Sequence, residues 1–240
     1  MFTKIVGFGD SWVWGDELLD PTLDTQTHPS SYKNTKYREE HCFLGLLGKH
    51  YNCPTKNFGI PGGSMQSSIW TFLWWLEKEP NPANCLILVG LTEADRFSHY
   101  NPKHKFNVGD EPWNQFVHST TTYWASNKEF EPLIKHQTVL TNCQQLRDLT
   151  YQQTVLTFDG IAARRNLNLV QFNVAPTEKE VLFAPTLINP SSNLTNWFVQ
   201  ELQPKFGRKY IKEHGHPNEL GHELIKEHLL SYINSCKING

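Results

Sequence analysis

The sequence predicts a three-layer α/β/α domain with a central parallel sheet, and three observations carry that prediction. Short apolar runs at Lys4–Phe8, Lys56–Phe58, Cys85–Leu91 and Leu167–Val174 alternate with helical patterns, the order that builds parallel sheets. The run CLILVGL at Cys85–Leu91 is apolar throughout, as a strand buried on both faces must be. Finally, 240 residues with 38% hydrophobic and 19% charged side chains suffice for a large core, and no linker composition marks a second domain. The expected organisation is one domain over 1–240 with an aromatic-rich insertion at about 95–130.

Each element follows from local chemistry. Lys4–Phe8 reads as a short buried strand that stops at the turn formers Gly9-Asp10-Ser11. A polar stretch, Asp20–Glu40, leads to a helical pattern over His41–Tyr51. Lys56–Phe58 is a brief second strand, and Gly59-Ile60-Pro61-Gly62-Gly63 reads as a loop. Ser64 is a fitting N-cap for a helix from Met65 to about Lys78, with Ile69, Phe72, Leu73 and Leu76 expected on its buried face. Asp95–Phe130 is irregular, and Leu133 to about Asn166 reads as a long helix broken near Asp159-Gly160. The strand Leu167–Val174 and a terminal amphipathic helix, Glu219–Tyr232, complete the pattern.

Charge and cysteine usage narrow the function classes. A net charge of −2 gives no electrostatic footprint for nucleic acid or an anionic membrane. No apolar run approaches the length that crosses a bilayer, and the N-terminal residues lack the apolar core of a leader. Five scattered cysteines with no CxxC pair read as free thiols in a reducing compartment. The expected place is the cytoplasm, and the expected partner is a small-molecule or glycan ester, with the oligomeric state left open.

In parallel α/β sheets, ligands bind beyond the carboxyl ends of the strands. Ser11, the Gly59–Gly63 loop and Thr92 follow the first, second and third strands, and His216 precedes the last helix. All four therefore fall on one edge. Serine is a weak nucleophile until a base takes its proton, and His216 is a candidate for that base. Read alone, Ser11 is equally a turn residue and His216 a surface residue ahead of a Pro-Asn helix start.

Taken together, these blocks resemble the SGNH hydrolases, the superfamily of GDSL-type lipases and esterases. Gly9-Asp10-Ser11 is similar to the first block, Asn57-Phe58-Gly59-Ile60-Pro61-Gly62 to the second, Gly90-Leu91-Thr92-Glu93 to the third and Glu213-His214-Gly215-His216 to the fifth. The resemblance implies a flavodoxin-like fold and ester hydrolysis through an acyl-serine, with no metal or organic cofactor. It implies a triad of Ser11, His216 and Glu213, and an oxyanion hole from the N–H groups of Ser11 and Gly62 with the Thr92 hydroxyl. Two positions depart from the pattern: Thr92 stands where the family has asparagine, and Glu213 where it has aspartate. A hydroxyl is shorter than an amide and has a single proton to donate.

The remaining readings concern the substrate. Trp12, Asn57, Arg96 and Tyr100 are expected to line its site. Phe97, His99, His104, Phe106, Trp113, Phe116, His118, Tyr123 and Trp124 would form an aromatic wall suited to sugar rings or acyl chains, or else a satellite core or an interface. The favoured substrate is an O-acetylated glycan, with simple lipid esters second. The Gly-Leu-Thr-Glu block also resembles those of SGNH-type proteins from tailed-phage genomes; a bacteriophage origin would imply association with the virion. Glu213, His214, His216 and His222 match no familiar metal-ligand spacing. Two other classes stand beside the enzyme: a degenerate SGNH domain that binds glycan or protein without turnover, and a structural or assembly protein.

Overall fold

Alternation at period two sets the sheet. In strand β1 (Lys4–Gly9) Ile5 faces one core while Val6 and Phe8 face the other. In β3 (Cys85–Leu91) Leu86 and Leu88 likewise oppose Ile87 and Val89. The computed structural model describes residues 1–24, 31–100, 116–119, 143–175, 184–188 and 193–235. Its main sheet has five parallel strands in the order β2 (Thr55–Gly59), β1, β3, β6 (Asn168–Asn173) and β7 (Leu187–Ile188). With the separate hairpin of β4 (Phe97–Tyr100) and β5 (Phe116–Ser119) set aside, this is the flavodoxin-like order 2-1-3-4-5.

Helices cover both faces. Helix α3 (Phe43–Tyr51), a helical stretch α6 over 194–206 and the terminal α7 (Glu219–Ser235) bury Phe43, Leu47, Phe198, Ile225 and Leu229 against Ile5, Leu88 and Phe172. On the other side α4 (Met65–Lys78) and α5 (Gln144–Arg165) bury Phe72, Trp75, Val155 and Phe158 against Phe8, Ile87 and Val89. Both layers meet the sheet through fully buried aromatics, each worth roughly 3–5 kcal/mol on truncation to alanine.

Several expectations need correction. The helix expected over His41–Tyr51 is present as α3 from Phe43, but a further helix, α2 (Thr35–His41), precedes it across an extended Cys42. Polar α2 presents few apolar side chains, so periodicity did not mark it. Helix α5 runs unbroken through Asp159-Gly160, because the Asp159 carboxylate turns outward to accept from the Thr186 N–H and hydroxyl instead of ending the helix. The buried face of α4 is Met65, Ser68, Phe72, Trp75 and Leu76, whereas Leu73 is exposed. The ends of the supposedly irregular 95–130 stretch pair as β4 and β5; His104, Phe106, Trp113, Tyr123 and Trp124 lie outside the described residues, as do the side chains of His99, Tyr100, Phe116 and His118. Among the described residues, Cys42, Cys53, Cys85 and Cys143 are free thiols. None of the described helices is long and apolar enough to cross a membrane.

Candidate active site

Strand β1 ends at the crevice where the strand order reverses, between β1 and β3. There Asp10 caps a single helical turn, α1 (Ser11–Trp14), by accepting the Trp12 N–H on Oδ1 at 3.0 Å. Gly15, in the left-handed region at φ +82°, closes the turn by donating to the Ser11 carbonyl at 3.0 Å. The turn is braced from β2. A Cβ on Gly59 would lie 2.4 Å from the Trp14 nitrogen, so only glycine permits this approach. Asn57 donates to the Val13 carbonyl at 2.9 Å and accepts the Gly59 N–H at 2.9 Å. Its amide is thus spent on the backbone, and the expectation that Asn57 contacts substrate is corrected.

Ser11 and His216 are brought together. The Ser11 Oγ lies 2.9 Å from the His216 Nε2 across a sequence gap of 205 residues. The imidazole Nδ1 lies 2.8 Å from Glu17 Oε2. A carboxylate only accepts, so Nδ1 carries the proton and Nε2 presents its lone pair to the serine hydroxyl. Glu17 does more than hold the ring: it also accepts the His216 N–H at 3.1 Å and the His214 N–H at 3.2 Å. Burial works against this carboxylate, yet the hydrogen bonds from the His216 ring and two backbone N–H groups, with the attraction of that same ring, hold its pKa below the ordinary value.

The expected acid was Glu213, and this is corrected. Glu213 is exposed and makes no hydrogen bond to the ring, because its loop turns at Gly215 (φ +93°) and closes through Lys212 N–H to the His216 carbonyl at 2.8 Å. Glu17 takes the position instead, from a left-handed backbone at φ +62° that a glutamate rarely adopts. Sequence reasoning missed it. The only local signal was an acidic pair, Asp16-Glu17, directly behind the Gly15 that ends the serine turn.

Thr92 is also reassigned. Its hydroxyl donates to Asp10 Oδ2 at 2.9 Å, with Glu93 Oε2 at 3.3 Å as the alternative acceptor. Both neighbours are carboxylates, so its one proton is committed away from any substrate oxygen. Arg96 joins the same cluster, reaching Asp10 Oδ2 at 3.1 Å through Nη1 and pairing with Glu93 through Nε. The pair neutralises an Asp10 that is 1% exposed, so Arg96 is first a counter-ion to the turn. It also lines a cleft of about 340 Å³ between α4 and α5, with Met65, Ile69 and Phe97. A larger groove of about 760 Å³ runs along α2 and α3 and touches none of these site residues.

The other expected positions fall as follows. Trp12 is buried, its ring edge-on to Phe198 at 5.5 Å, and belongs to the core instead of a substrate wall. The Tyr100 side chain lies outside the described residues. Gly62 sits after β2 at φ +70°, and among the described residues neither its N–H nor that of Ser11 is taken by another group. Ser11 opens its helical turn, where an N–H has no carbonyl partner within the helix.

No protein-family model matches the chain, and no curated protein matches it. Among solved structures it is similar to the psychrotrophic esterase EstA from a Pseudoalteromonas species, at 11% identity over 99% of this chain and 100% of that one, with a TM-score of 0.48. It is similar to a catalytic mutant of Axe2, an acetylxylan esterase from Geobacillus stearothermophilus, at 13% identity over 96% and 94% with a TM-score of 0.45. A member of the lipolytic G-D-S-L family from Veillonella parvula matches at 12% identity over 95% and 96%, with a TM-score of 0.39. Identities this low transfer no residue roles.

Proposed function

We propose that this chain is an SGNH-type serine hydrolase that cleaves carboxylic esters with Ser11, His216 and Glu17. The supporting observation is the continuous relay from Ser11 Oγ through both imidazole nitrogens to an ionised carboxylate. His216 Nε2 takes the Ser11 proton as Oγ attacks the ester carbonyl, and Glu17 steadies the imidazolium that forms. The negative oxygen of the tetrahedral intermediate is met by the N–H groups of Ser11 and Gly62, which are not engaged elsewhere among the described residues. His216 then gives its proton to the leaving alcohol, an acyl-Ser11 remains, and water activated by the same imidazole releases the acid. The Ser11 proton thus leaves with the alcohol, and a proton taken from the attacking water restores the serine hydroxyl.

For the substrate we favour an O-acetyl group on a glycan. The aromatic-rich 95–130 stretch, which begins with Asp95-Arg96, follows closely on Thr92 in sequence and suits sugar rings. Covalent labelling by a fluorophosphonate tests the proposal, because it reports an activated serine whatever the acyl preference. Label on Ser11, abolished in Ser11→Ala and His216→Ala, is the expected result. An unlabelled parent would overturn the enzyme reading and leave a binding domain. The committed Thr92 hydroxyl is the one observation that favours that second reading, since losing an oxyanion donor costs roughly 10²–10³ in turnover.

A further inference from the structure

We infer that Asp16 determines specificity by placing a second negative charge at the reacting face, so that the site excludes esters carrying an anionic group. The inference rests on the hydrolase reading above. Asp16 Oδ2 lies 3.9 Å from His216 Nε2, the nitrogen that faces Ser11. Glu17 lies on the other ring nitrogen, so the imidazole stands between two carboxylates with unlike tasks. Asp16 is held in place at both ends: its N–H donates to the Ser11 carbonyl at 2.9 Å, and its Oδ1 accepts the Glu17 N–H at 3.0 Å. Its side chain keeps 25% exposure, beside the ring nitrogen that faces Ser11. Oδ2 makes no hydrogen bond among the described residues and remains an acceptor for a hydroxyl on the substrate.

The charges around it do not cancel. Arg38 acts on Asp16 electrostatically, but its guanidinium is buried over the Trp14 ring at 3.6 Å and Glu39 acts on it too. On the far side of Ser11, Arg96 is matched against Asp10 and Glu93 together. Among the described residues, Asp16 and Glu17 therefore leave the mouth of the site negative. A carboxylate brought within several ångströms of it meets a repulsion on the order of tenfold in rate. Esters of neutral, hydroxyl-bearing alcohols meet an acceptor instead.

The test compares 3-acetoxybenzoate with its methyl ester, which share acyl group and ring and differ in charge. The parent should prefer the neutral ester by about tenfold in kcat/KM at low ionic strength, and the preference should shrink as salt rises. Asp16→Asn keeps Oδ1 for the Glu17 N–H and removes the charge, so the preference should fall to within about twofold. A preference unchanged in Asp16→Asn, or one in the parent that salt does not alter, would overturn this inference alone. If the parent hydrolyses neither ester and takes no fluorophosphonate, the hydrolase reading fails and the inference falls with it.

Discussion

Glu17 Oε2 holds His216 twice, at the ring Nδ1 (2.8 Å) and at the backbone N–H (3.1 Å), although the two residues are 199 positions apart. One carboxylate therefore fixes the loop, the tautomer and the ring orientation together. Ser11 and Glu17 lie on one short segment, so the proposed nucleophile and its proposed orienting acid are positioned together. Of the three proposed triad members, only His216 comes from elsewhere in the chain.

Replacing Glu17 by Gln should accordingly damage both catalysis and the loop. Turnover on an aryl acetate should fall by roughly 10²–10⁴, as when a triad acid loses its charge. Glu213→Gln, at an exposed position without contact to the ring, should stay within about twofold. Steady-state kinetics of the two variants side by side decides the assignment; the reverse ranking would restore Glu213.

Thr92→Val should act on stability before chemistry. It removes a donor from the buried Asp10 carboxylate, a loss of about 1.5–3 kcal/mol, while Arg96 and the Trp12 N–H still serve that group. Urea unfolding should show this cost, with kcat reduced less than tenfold. A fall of roughly 10²–10³ in kcat at unchanged stability would return Thr92 to the oxyanion hole.

The layers and the sheet edge were legible because their signals are local and periodic. CLILVGL could only be a doubly buried strand, and the Ser64 cap with Ser67 opened α4 where expected. Ser11 was legible because it sits in a turn at the end of an apolar run, and His216 because Pro217-Asn218 behind it mark the start of the last helical pattern. Glu17 was not, since nothing local says that a glutamate will adopt φ +62° and face a loop from the far end of the chain. Asn57 and Thr92 were misassigned for a related reason. Sequence shows which polar groups are present, whereas burial decides which of them are already spoken for.

Arg96 offers a test of that distinction. If it chiefly neutralises Asp10, Arg96→Met leaves a carboxylate of 1% exposure short of its cation. Breaking a buried pair from one side costs about 3–5 kcal/mol, and the partial exposure of Arg96 puts the expectation at or below the lower end. Thermal unfolding should register the loss, and fluorophosphonate labelling should slow because Asp10 also carries the Trp12 N–H of the serine turn. A variant of parental stability with only a raised KM would make Arg96 a substrate contact instead.

His222 predicts how the fold responds to acid. It is fully buried on α7, with its Nδ1 accepting the Phe43 N–H at 3.3 Å, and burial, reinforced by the His216 charge, pushes its pKa down to about 3. The folded chain thus keeps this ring neutral where the unfolded chain, near 6.5, protonates it. Its contribution is fully present above about pH 6.5 and is lost as the pH falls toward 3, at about 1.4 kcal/mol per pH unit. Between pH 6.5 and pH 5 the loss from this group is about 2 kcal/mol. Urea unfolding at the two values should show it in the parent, and His222→Gln, which retains an acceptor for the Phe43 N–H, should remove most of the difference while lowering stability at pH 7. An equal pH dependence in both proteins would mean that the ring gains protons in the fold as readily as outside it, and the acid sensitivity would then belong to other groups.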